Sequence, residues 1–385
     1  MKKSWIYTCF LILLTICAAA GWGWYVLFTP TITNPAGVVY NLKPGSKKQL
    51  VVDELTQQGV LKYPSIFSAY IYPQVDAHLK AGEYLFPKGS TLASIWKQII
   101  TGRGQVIHAF TIIPGNSFPQ VKQLLAQTKE LHHLSATMND QQIMAYLGVP
   151  NIAPEGMFFP DTYYYTKGVA DIVILKRAFV LMQKKLNAAW EEKANDLPYH
   201  TSYEALIAAS LIEKEAYLST ERPIIAGVIV NRLQKGMLLQ IDPTVIYGMG
   251  SLYLGKIHRE NLLADTPYNT YVHKGLPPTP IAMPSMASIQ AALHPMLHDF
   301  YYFVAKGDGS HQFSATLPEH HQAVETAIKI KPITMPPVIV PPVVQQPKVT
   351  KPISAKRKLD SKKLALSSTQ QSHKHKSLHH SKRAE

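Results

Sequence analysis

Residues 205–250 read ALIAASLIEKEAYLSTERPIIAGVIVNRLQKGMLLQIDPTVIYGMG, and this stretch decides the fold around the candidate site. Thr201 is followed three positions later by Glu204, a capping-box pattern that predicts the start of a helix. Glu215 lies further along this helix and shares a face with three apolar residues, Ala208, Leu211 and Ile212. The pattern therefore predicts a carboxyl group on the apolar face of a helix.

The two glutamates near the end of this helix differ in the face that they occupy. A carboxyl group among apolar neighbours has a raised pKa and can donate a proton near neutral pH, as cleavage of a glycosidic bond requires. Glu213 lies about 200° around the helix from Glu215, on the face of Leu206, Ala209 and Ser210. The two cannot act as a pair from one helix. The alternative is that both are solvated surface charges flanking Lys214.

The segment after this helix concentrates polar side chains near helix ends. Residues 224–236 predict a second helix that Gly236 closes at its C′ position, and residues 237–241 predict an extended run. Asp242-Pro243 is typical of an N-cap followed by proline at the first helical position, so Asp242 is a cap or a catalytic group. Asn231 and Arg232 either satisfy the last carbonyl groups of the second helix or line a site. The whole cluster is a candidate site: Asn231, Arg232, Gln240, Asp242, Thr244 and Tyr247.

Five long and uncommon segments connect the chain to a known family. They are EGMFFPDTYYYT (155–166), ASLIEKEA (209–216), VNRLQKGMLLQIDPTVIYGMG (230–250), TPYNTYVHKGLPPTPIA (266–282) and HPMLHDFYYFVAKGDGSHQFSATLPEHH (294–321). In these segments the chain resembles the YceG-like endolytic peptidoglycan transglycosylases, from about Val38 to about Lys331. The resemblance implies a membrane-anchored enzyme that cuts glycan strands internally, between N-acetylmuramic acid and N-acetylglucosamine. The family's catalytic glutamate is the second of the Glu-Lys-Glu motif, which is Glu215 here.

Three positions depart from the family pattern. Ala216 stands where the family often has threonine, so a hydroxyl group beside the acid is missing. Thr279 and Ser285 stand where the family tends to have glycine, which makes the backbone of that loop less permissive. These changes bear on the fine geometry of the loop.

The implied reaction needs one carboxyl group, whereas ordinary glycosidases use two. Protonated Glu215 donates to the bridging oxygen, and its carboxylate then takes the proton of the muramoyl C6 hydroxyl group, which attacks C1 and closes a 1,6-anhydro ring. If the reaction is hydrolytic instead, Asp242 is the second carboxylate that activates water. No cofactor is implied, and the histidines show no metal-ligand spacing. The candidates for positioning the sugar are Asn231, Arg232, Gln240, Asp242, Thr244, Tyr247, Asn269 and Tyr271.

The N-terminus predicts a membrane anchor. Lys2 and Lys3 precede the uncharged stretch Ile6–Phe28, which is long enough to span ~30 Å of hydrocarbon. The lysines favour a cytoplasmic start, and aromatic residues near the far end suit the membrane interface, namely Trp22, Trp24 and Tyr25. A cleaved signal peptide is the alternative, because residues 18–21 resemble a cleavage site. Both cysteines, Cys9 and Cys17, lie in this stretch, so disulfides play no part in the exported fold.

The residues between anchor and catalytic region predict a small α/β module. Residues 38–61 indicate a strand, a turn and an amphipathic helix, and residues 81–104 repeat that plan with a helix opened by Ser90 or Thr91. In the family this segment resembles a LysM-like glycan-binding unit; the alternative is a packing subdomain or spacer. Three aromatic residues are expected in its core: Tyr84, Phe86 and Trp96.

The net charge of +14 is concentrated at the C-terminus. Residues 331–385 hold twelve Lys or Arg against Asp360 and Glu385, so the rest of the chain carries only +4 and is not expected to bind nucleic acid. A Pro-rich run followed by Lys, His and Ser cannot bury a core, and this tail is expected to be disordered. It contacts anionic lipid or wall polymers, or is a solvated tail without a specific partner.

These observations predict an α+β protein with a single transmembrane helix. The expected parts are residues 1–5 in the cytoplasm, 6–28 as anchor, 29–37 as linker, 38–107 as the LysM-like subdomain, 108–331 as the YceG-like catalytic domain and 332–385 as the tail. The anchor implies the cell inner membrane with the catalytic domain in the periplasm. The expected partners are peptidoglycan strands and, from the resemblance, a peptidoglycan synthase. Two rival functions remain: a lysozyme-type hydrolase and a non-catalytic glycan-binding scaffold.

Overall fold

Helices joined by three antiparallel strand pairs build the part of the chain that the computed structural model describes, residues 2–329. The helices are α1 (Lys2–Phe28), α2 (Lys48–Gln57), α3 (Pro64–Ile71), α4 (Leu92–Thr101), α5 (Phe118–Gln127), α6 (Asp140–Tyr146), α7 (Asp171–Glu191), α8 (Ser202–Glu215), α9 (Arg222–Gln234), α10 (Asp242–Met249), α11 (Arg259–Leu263), α12 (Met286–Leu293) and α13 (Leu317–Lys329). The strands are β1 (Val38–Leu42), β2 (Gly82–Phe86), β3 (Ile107–Thr111), β4 (Thr162–Thr166), β5 (Tyr302–Ala305) and β6 (His311–Ser314). This mixture agrees with the α+β prediction. The expected tail lies outside the described residues.

Helix α1 is continuous, and its residues Trp5–Phe28 are long and apolar enough to cross a membrane. This length and composition suit an anchor and also a signal sequence. The last turn of α1 is buried in the N-terminal module through Val26 and Leu27. The segment predicted as a linker packs against that module, because the N–H groups of Thr31 and Ile32 donate to the carbonyl oxygen of Ser90.

The N-terminal module has the order β1-α2-α3-β2, followed by α4. Strands β1 and β2 pair antiparallel, with Tyr40 opposite Tyr84. The aromatic residues expected in the core are buried, namely Tyr84, Phe86 and Trp96. Thr91 opens α4 through a capping box with Ser94. The two strand-turn-helix units are confirmed, whereas α3 was not predicted, because its uncharged run of aromatic and small residues shows no clear helical period.

The larger region places α8 at its centre. Every residue from Ala205 to Ile212 is buried, because α7, α9 and α12 all pack against α8. The prediction of a single apolar face on α8 is therefore wrong, and only the first turn and the last residues of the helix reach the surface. Thr201 accepts a hydrogen bond from the N–H of Glu204, which confirms the predicted start.

The two following helices agree with the sequence to within two residues, since α9 begins at Arg222 and not at Ile224. Helix α9 ends at Gln234, and Gly236 follows in the left-handed conformation with φ of 63°, as predicted. Helix α10 has Ile241 at its N-cap, and Asp242 makes no capping hydrogen bond. The prediction of Asp242 as the cap is wrong, because the hydroxyl group of Thr244 donates to the Ile241 carbonyl oxygen and organises this turn.

Candidate active site

Glu215 is the last residue of α8, where the buried helix meets the surface. Its side chain is partly exposed, and no group among residues 2–329 forms a hydrogen bond or ion pair with its carboxyl group. Burial, and then the charge of Asp242, raise the pKa of Glu215 to about 7. The negative end of the helix dipole acts in the same direction. Glu215 therefore has an unengaged carboxyl group that is partly protonated at neutral pH.

Glu213 is used differently, although it lies on the same turn. One of its carboxyl oxygens accepts hydrogen bonds from the Ser285 N–H (2.9 Å), the Ser285 hydroxyl (2.5 Å) and the Ser288 hydroxyl (2.7 Å). The other lies 3.6 Å from Arg222 Nη2. The side chain is 6% exposed. Glu213 joins α8 to the start of α12, so the reading of both glutamates as solvated surface charges is wrong.

Asp242 and Tyr271 lie beside Glu215. The Tyr271 hydroxyl donates to Asp242 Oδ1 at 2.5 Å, while the rest of Asp242 is exposed. Burial and then Asp242 raise the pKa of Tyr271, with a further contribution from the charge of Glu215. The site therefore combines three groups at one surface position: the free carboxyl group of Glu215, the hydrogen-bonded carboxyl group of Asp242 and the hydroxyl group of Tyr271.

Arg232 fixes the backbone that leads to α10. Its guanidinium donates to the carbonyl oxygens of Tyr301 (2.6 Å), Leu238 (3.0 Å) and Leu239 (2.8 Å). It also donates to the side chain of Gln240 at 3.2 Å. Gln240 is exposed and left-handed with φ of 53°, a conformation that costs about 1–3 kcal/mol outside glycine. Arg232 and Gln240 thus stand at the rim of the site, with Arg232 buried as a support.

Three further predicted residues support the site from within. Asn231 donates to the carbonyl oxygens of residues 298 and 300, at 2.8 and 3.0 Å, so it does not cap its own helix. The Thr244 hydroxyl is fully buried and lies 2.9 Å from that of Thr270. Asn269 is fully buried and donates to the Ala264 carbonyl oxygen at 2.7 Å. These side chains position loops, and Thr244 and Asn269 do not face solvent.

Tyr247 leads to a residue that the sequence did not single out. Its hydroxyl donates to Glu155 Oε2 at 3.0 Å, and both carboxyl oxygens of Glu155 lie 3.0 Å from the Phe118 nitrogen. Glu155 is 3% exposed, and burial raises its pKa to about 7, against the opposing effect of its hydrogen bonds. The sequence feature that could have identified Glu155 is its place as the acidic residue at the start of the apolar segment EGMFF.

Comparisons with known proteins agree on one family. The profile of the YceG-like family matches residues 40–326. A Bacillus subtilis protein named endolytic murein transglycosylase is 31% identical over 309 residues, covering 76% of this chain and 85% of the relative. A Streptococcus pneumoniae protein of the same name is 27% identical over 349 residues, covering 81% of this chain and 63% of the relative.

One solved structure is also similar to this chain. The crystal structure of a yceG-like protein from Listeria monocytogenes is 29% identical, with a TM-score of 0.49, and the match covers 74% of this chain and 98% of that one. The family match extends from β1 into α13 and includes the whole candidate site. The chain belongs to the YceG-like family.

Proposed function

We propose that this protein is an endolytic murein transglycosylase that cleaves the bond between N-acetylmuramic acid and N-acetylglucosamine within glycan strands. One observation supports Glu215 above all: its carboxyl group is unengaged and has a pKa of about 7, whereas Glu213 on the same helix is fully engaged. The relatives named endolytic murein transglycosylase supply the substrate and reaction class.

The reaction runs through Glu215 in two proton transfers. Protonated Glu215 donates to the bridging oxygen as the C1–O bond breaks, which releases the neighbouring sugar with a new hydroxyl group. The Glu215 carboxylate then accepts the proton of the muramoyl C6 hydroxyl group as its oxygen bonds to C1. The product is a 1,6-anhydro end, Glu215 regains its proton, and no water is used.

Asp242, Tyr271 and Gln240 are proposed to receive the sugar. The transition state has oxocarbenium character, and the Asp242 carboxylate beside Glu215 stabilises positive charge there. Tyr271 holds that carboxylate, and the exposed amide of Gln240 is available to sugar hydroxyl groups. Arg232, Asn231, Thr244, Tyr247 and Asn269 act as supports for these groups.

We propose that α1 is a retained anchor in the cell inner membrane, with the catalytic domain in the periplasm. The helix has lysines at its start and is exposed along most of its length, so it needs an apolar solvent. A chain held there meets glycan strands close to the membrane. From the resemblance we propose a peptidoglycan synthase as a partner, and cross-linking in intact cells should then join the two proteins.

We propose that residues 38–107 bind glycan as a LysM-like unit. The order β1-α2-α3-β2 supports this, together with a groove of about 380 Å³ between the loop after β1 and the loop before β2. Its lining offers hydrogen-bonding groups to a sugar chain, including Lys43, Ser46, Lys48 and His78. Ser46→Trp would fill the groove, and it should weaken binding to long strands without changing cleavage of short ones.

Analysis of the products tests the main proposal. Wild-type chain should release fragments with 1,6-anhydro ends from purified glycan strands, as read by mass spectrometry. Glu215→Gln should release none, because an amide cannot donate the proton, whereas Glu192→Gln, at an exposed glutamate after α7, should match wild type. Reducing ends from wild type would indicate the lysozyme-type hydrolase. Binding without cleavage would indicate the scaffold.

A further inference from the structure

Glu155 is a buried carboxyl group that the proposed reaction does not use. It lies in the loop between α6 and β4, is 3% exposed, and forms no ion pair within residues 2–329. Its donors are the backbone N–H groups of the neighbouring Gly156 and of Phe118, at the first position of α5, and the hydroxyl of Tyr247 on α10. Burying a carboxyl group without a cation costs folding free energy, so the hydrogen bonds that join Glu155 to α5 and α10 need an explanation.

The loop that holds Glu155 is fixed in place. Gly156 has φ of 77°, and a Cβ there would lie 2.4 Å from Pro280 Cβ, so the backbone of this loop touches the 277–282 loop directly. Ile281 in that second loop donates to the Ser210 hydroxyl in the centre of α8 at 3.0 Å. Glu155 is thus tied on one side to α5 and on the other to the helix that ends at Glu215.

Helix α10 is the element that Glu155 holds from this fixed position. Tyr247 lies five residues after Asp242 on that helix, and its ring packs against Tyr268 with centroids 4.8 Å apart. The Tyr268 hydroxyl in turn lies 2.9 Å from the Thr279 hydroxyl. Because Asp242 and Tyr247 share one short helix, the Tyr247 hydrogen bond limits how that helix rotates, and rotation would move Asp242 relative to Glu215.

We propose that Glu155 is a positioning residue that, through the hydroxyl of Tyr247, fixes the orientation of α10 and thereby places Asp242 beside Glu215. Glu155 is too buried to touch a glycan strand, so it acts only through α10. This inference rests on the proposed function, because it assigns Glu155 a part in the reaction of Glu215. The titratable groups that face Glu155 are Asp140, Tyr203 and Tyr247.

Two variants of the full chain test this role, Glu155→Gln and Tyr247→Phe. In both we expect kcat for release of 1,6-anhydro ends to fall about tenfold, with KM within about twofold of wild type. The alkaline limb of the pH–kcat profile should move to lower pH, because Asp242 moves away from Glu215. Loss of the Tyr247 hydroxyl raises the pKa of Glu155, so an alkaline limb that moves to lower pH in Tyr247→Phe reports Glu215 and not the titration of Glu155.

The double variant and one control make the outcome decisive. Glu155→Gln with Tyr247→Phe should lose no more kcat than either single variant, because both remove one connection. Tyr199→Phe removes a buried hydroxyl group that has no hydrogen-bond partner within residues 2–329, and it should match wild type in kcat, KM and the alkaline limb. If thermal stability falls while the alkaline limb stays in place, Glu155 is only structural and the proposal is wrong.

Failure of this inference differs from failure of the proposed function. A Glu215→Gln variant that still forms anhydro ends would overturn the function itself. An inactive Glu215→Gln variant together with an unmoved limb in Tyr247→Phe would overturn only the positioning role. If Glu155→Gln does not fold, Tyr247→Phe alone decides, because it keeps the aromatic ring and its packing.

Discussion

Glu213 and Glu215 are two glutamates that lie two residues apart on α8 and have opposite surroundings. Glu213 accepts three hydrogen bonds from the start of α12, so its carboxyl group is engaged within the fold. Glu215 has no donor among residues 2–329 and lies beside Asp242, so its charged form is disfavoured. Glu213 therefore stabilises the fold, whereas Glu215 is suited to donate a proton in the proposed reaction.

The same substitution at these two positions should change stability in opposite directions. The folded-state pKa of Glu215 is about 7, above the 4.5 of an unperturbed glutamate, so the folded chain binds more protons between these values. Its stability therefore falls as the pH rises from 4.5 to about 7. At pH 8 Glu215→Gln should raise the free energy of unfolding by about 1–3 kcal/mol.

Glu213→Gln should instead lower the free energy of unfolding by about 1–3 kcal/mol, because an amide loses the ion pair with Arg222 and accepts more weakly than a carboxylate from the three donors. Urea unfolding of both variants at pH 8, in the same detergent, makes the comparison. Equal destabilisation by the two substitutions would contradict the assignment of separate roles.

Asp242 should set the pH range of activity. Its charge contributes to the raised pKa of Glu215, so Asp242→Asn lowers that pKa and reduces the protonated fraction at neutral pH. The alkaline limb of the pH–kcat profile should then move to lower pH. Asp265→Asn is the control, because Asp265 is exposed and pairs with His273. If the alkaline limb of Asp242→Asn coincides with that of wild type, Asp242 does not raise the pKa of Glu215.

At the scale of elements, local patterns predicted where helices begin and end. Thr201 and Gly236 each act through their own turn, so the start of α8 and the end of α9 follow from the sequence. The burial of α8 on every side did not follow, because α12 covers the second face from about seventy residues away. The same limit explains why Glu155 was missed: its partners lie in α5 and α10.

Helix α9 contains a glycine that its neighbours require. A Cβ at Gly227 would lie 2.4 Å from the Met296 carbonyl oxygen and 2.5 Å from His298 Nε2. Alanine normally stabilises a helix, but Gly227→Ala should destabilise this one by about 1–3 kcal/mol because the 296–298 segment must move. Gly23→Ala on α1 meets no atom within 4 Å and should cause no such loss. Thermal unfolding of both variants provides the measurement.

At the scale of the whole molecule, the apolar helix α1 continues into the folded part. The last turn of α1 lies in the core of the N-terminal module, and the segment after it pairs with residue 90. The candidate site itself could be predicted only in part from sequence. Helical phase and the family motif predicted Glu215, but the proposed division between contacting residues such as Gln240 and supporting residues such as Asn269 depends on tertiary contacts.

Retention of the anchor gives a prediction for the intact chain. Chain purified from membranes should have the full mass expected for residues 1–385, with or without the initial methionine, and should resist extraction at alkaline pH. Cleavage after residues 18–20 would instead leave a soluble chain that begins near Gly21. Intact mass spectrometry of the membrane and soluble fractions distinguishes the two outcomes.

The most direct test of the proposed function is cleavage of purified glycan strands in ¹⁸O-labelled water. Because the C6 hydroxyl group of the substrate attacks C1, the new ends should be 1,6-anhydro sugars without ¹⁸O, and Glu215→Gln should form none. New reducing ends that carry ¹⁸O would show that water attacks C1 and would contradict the account.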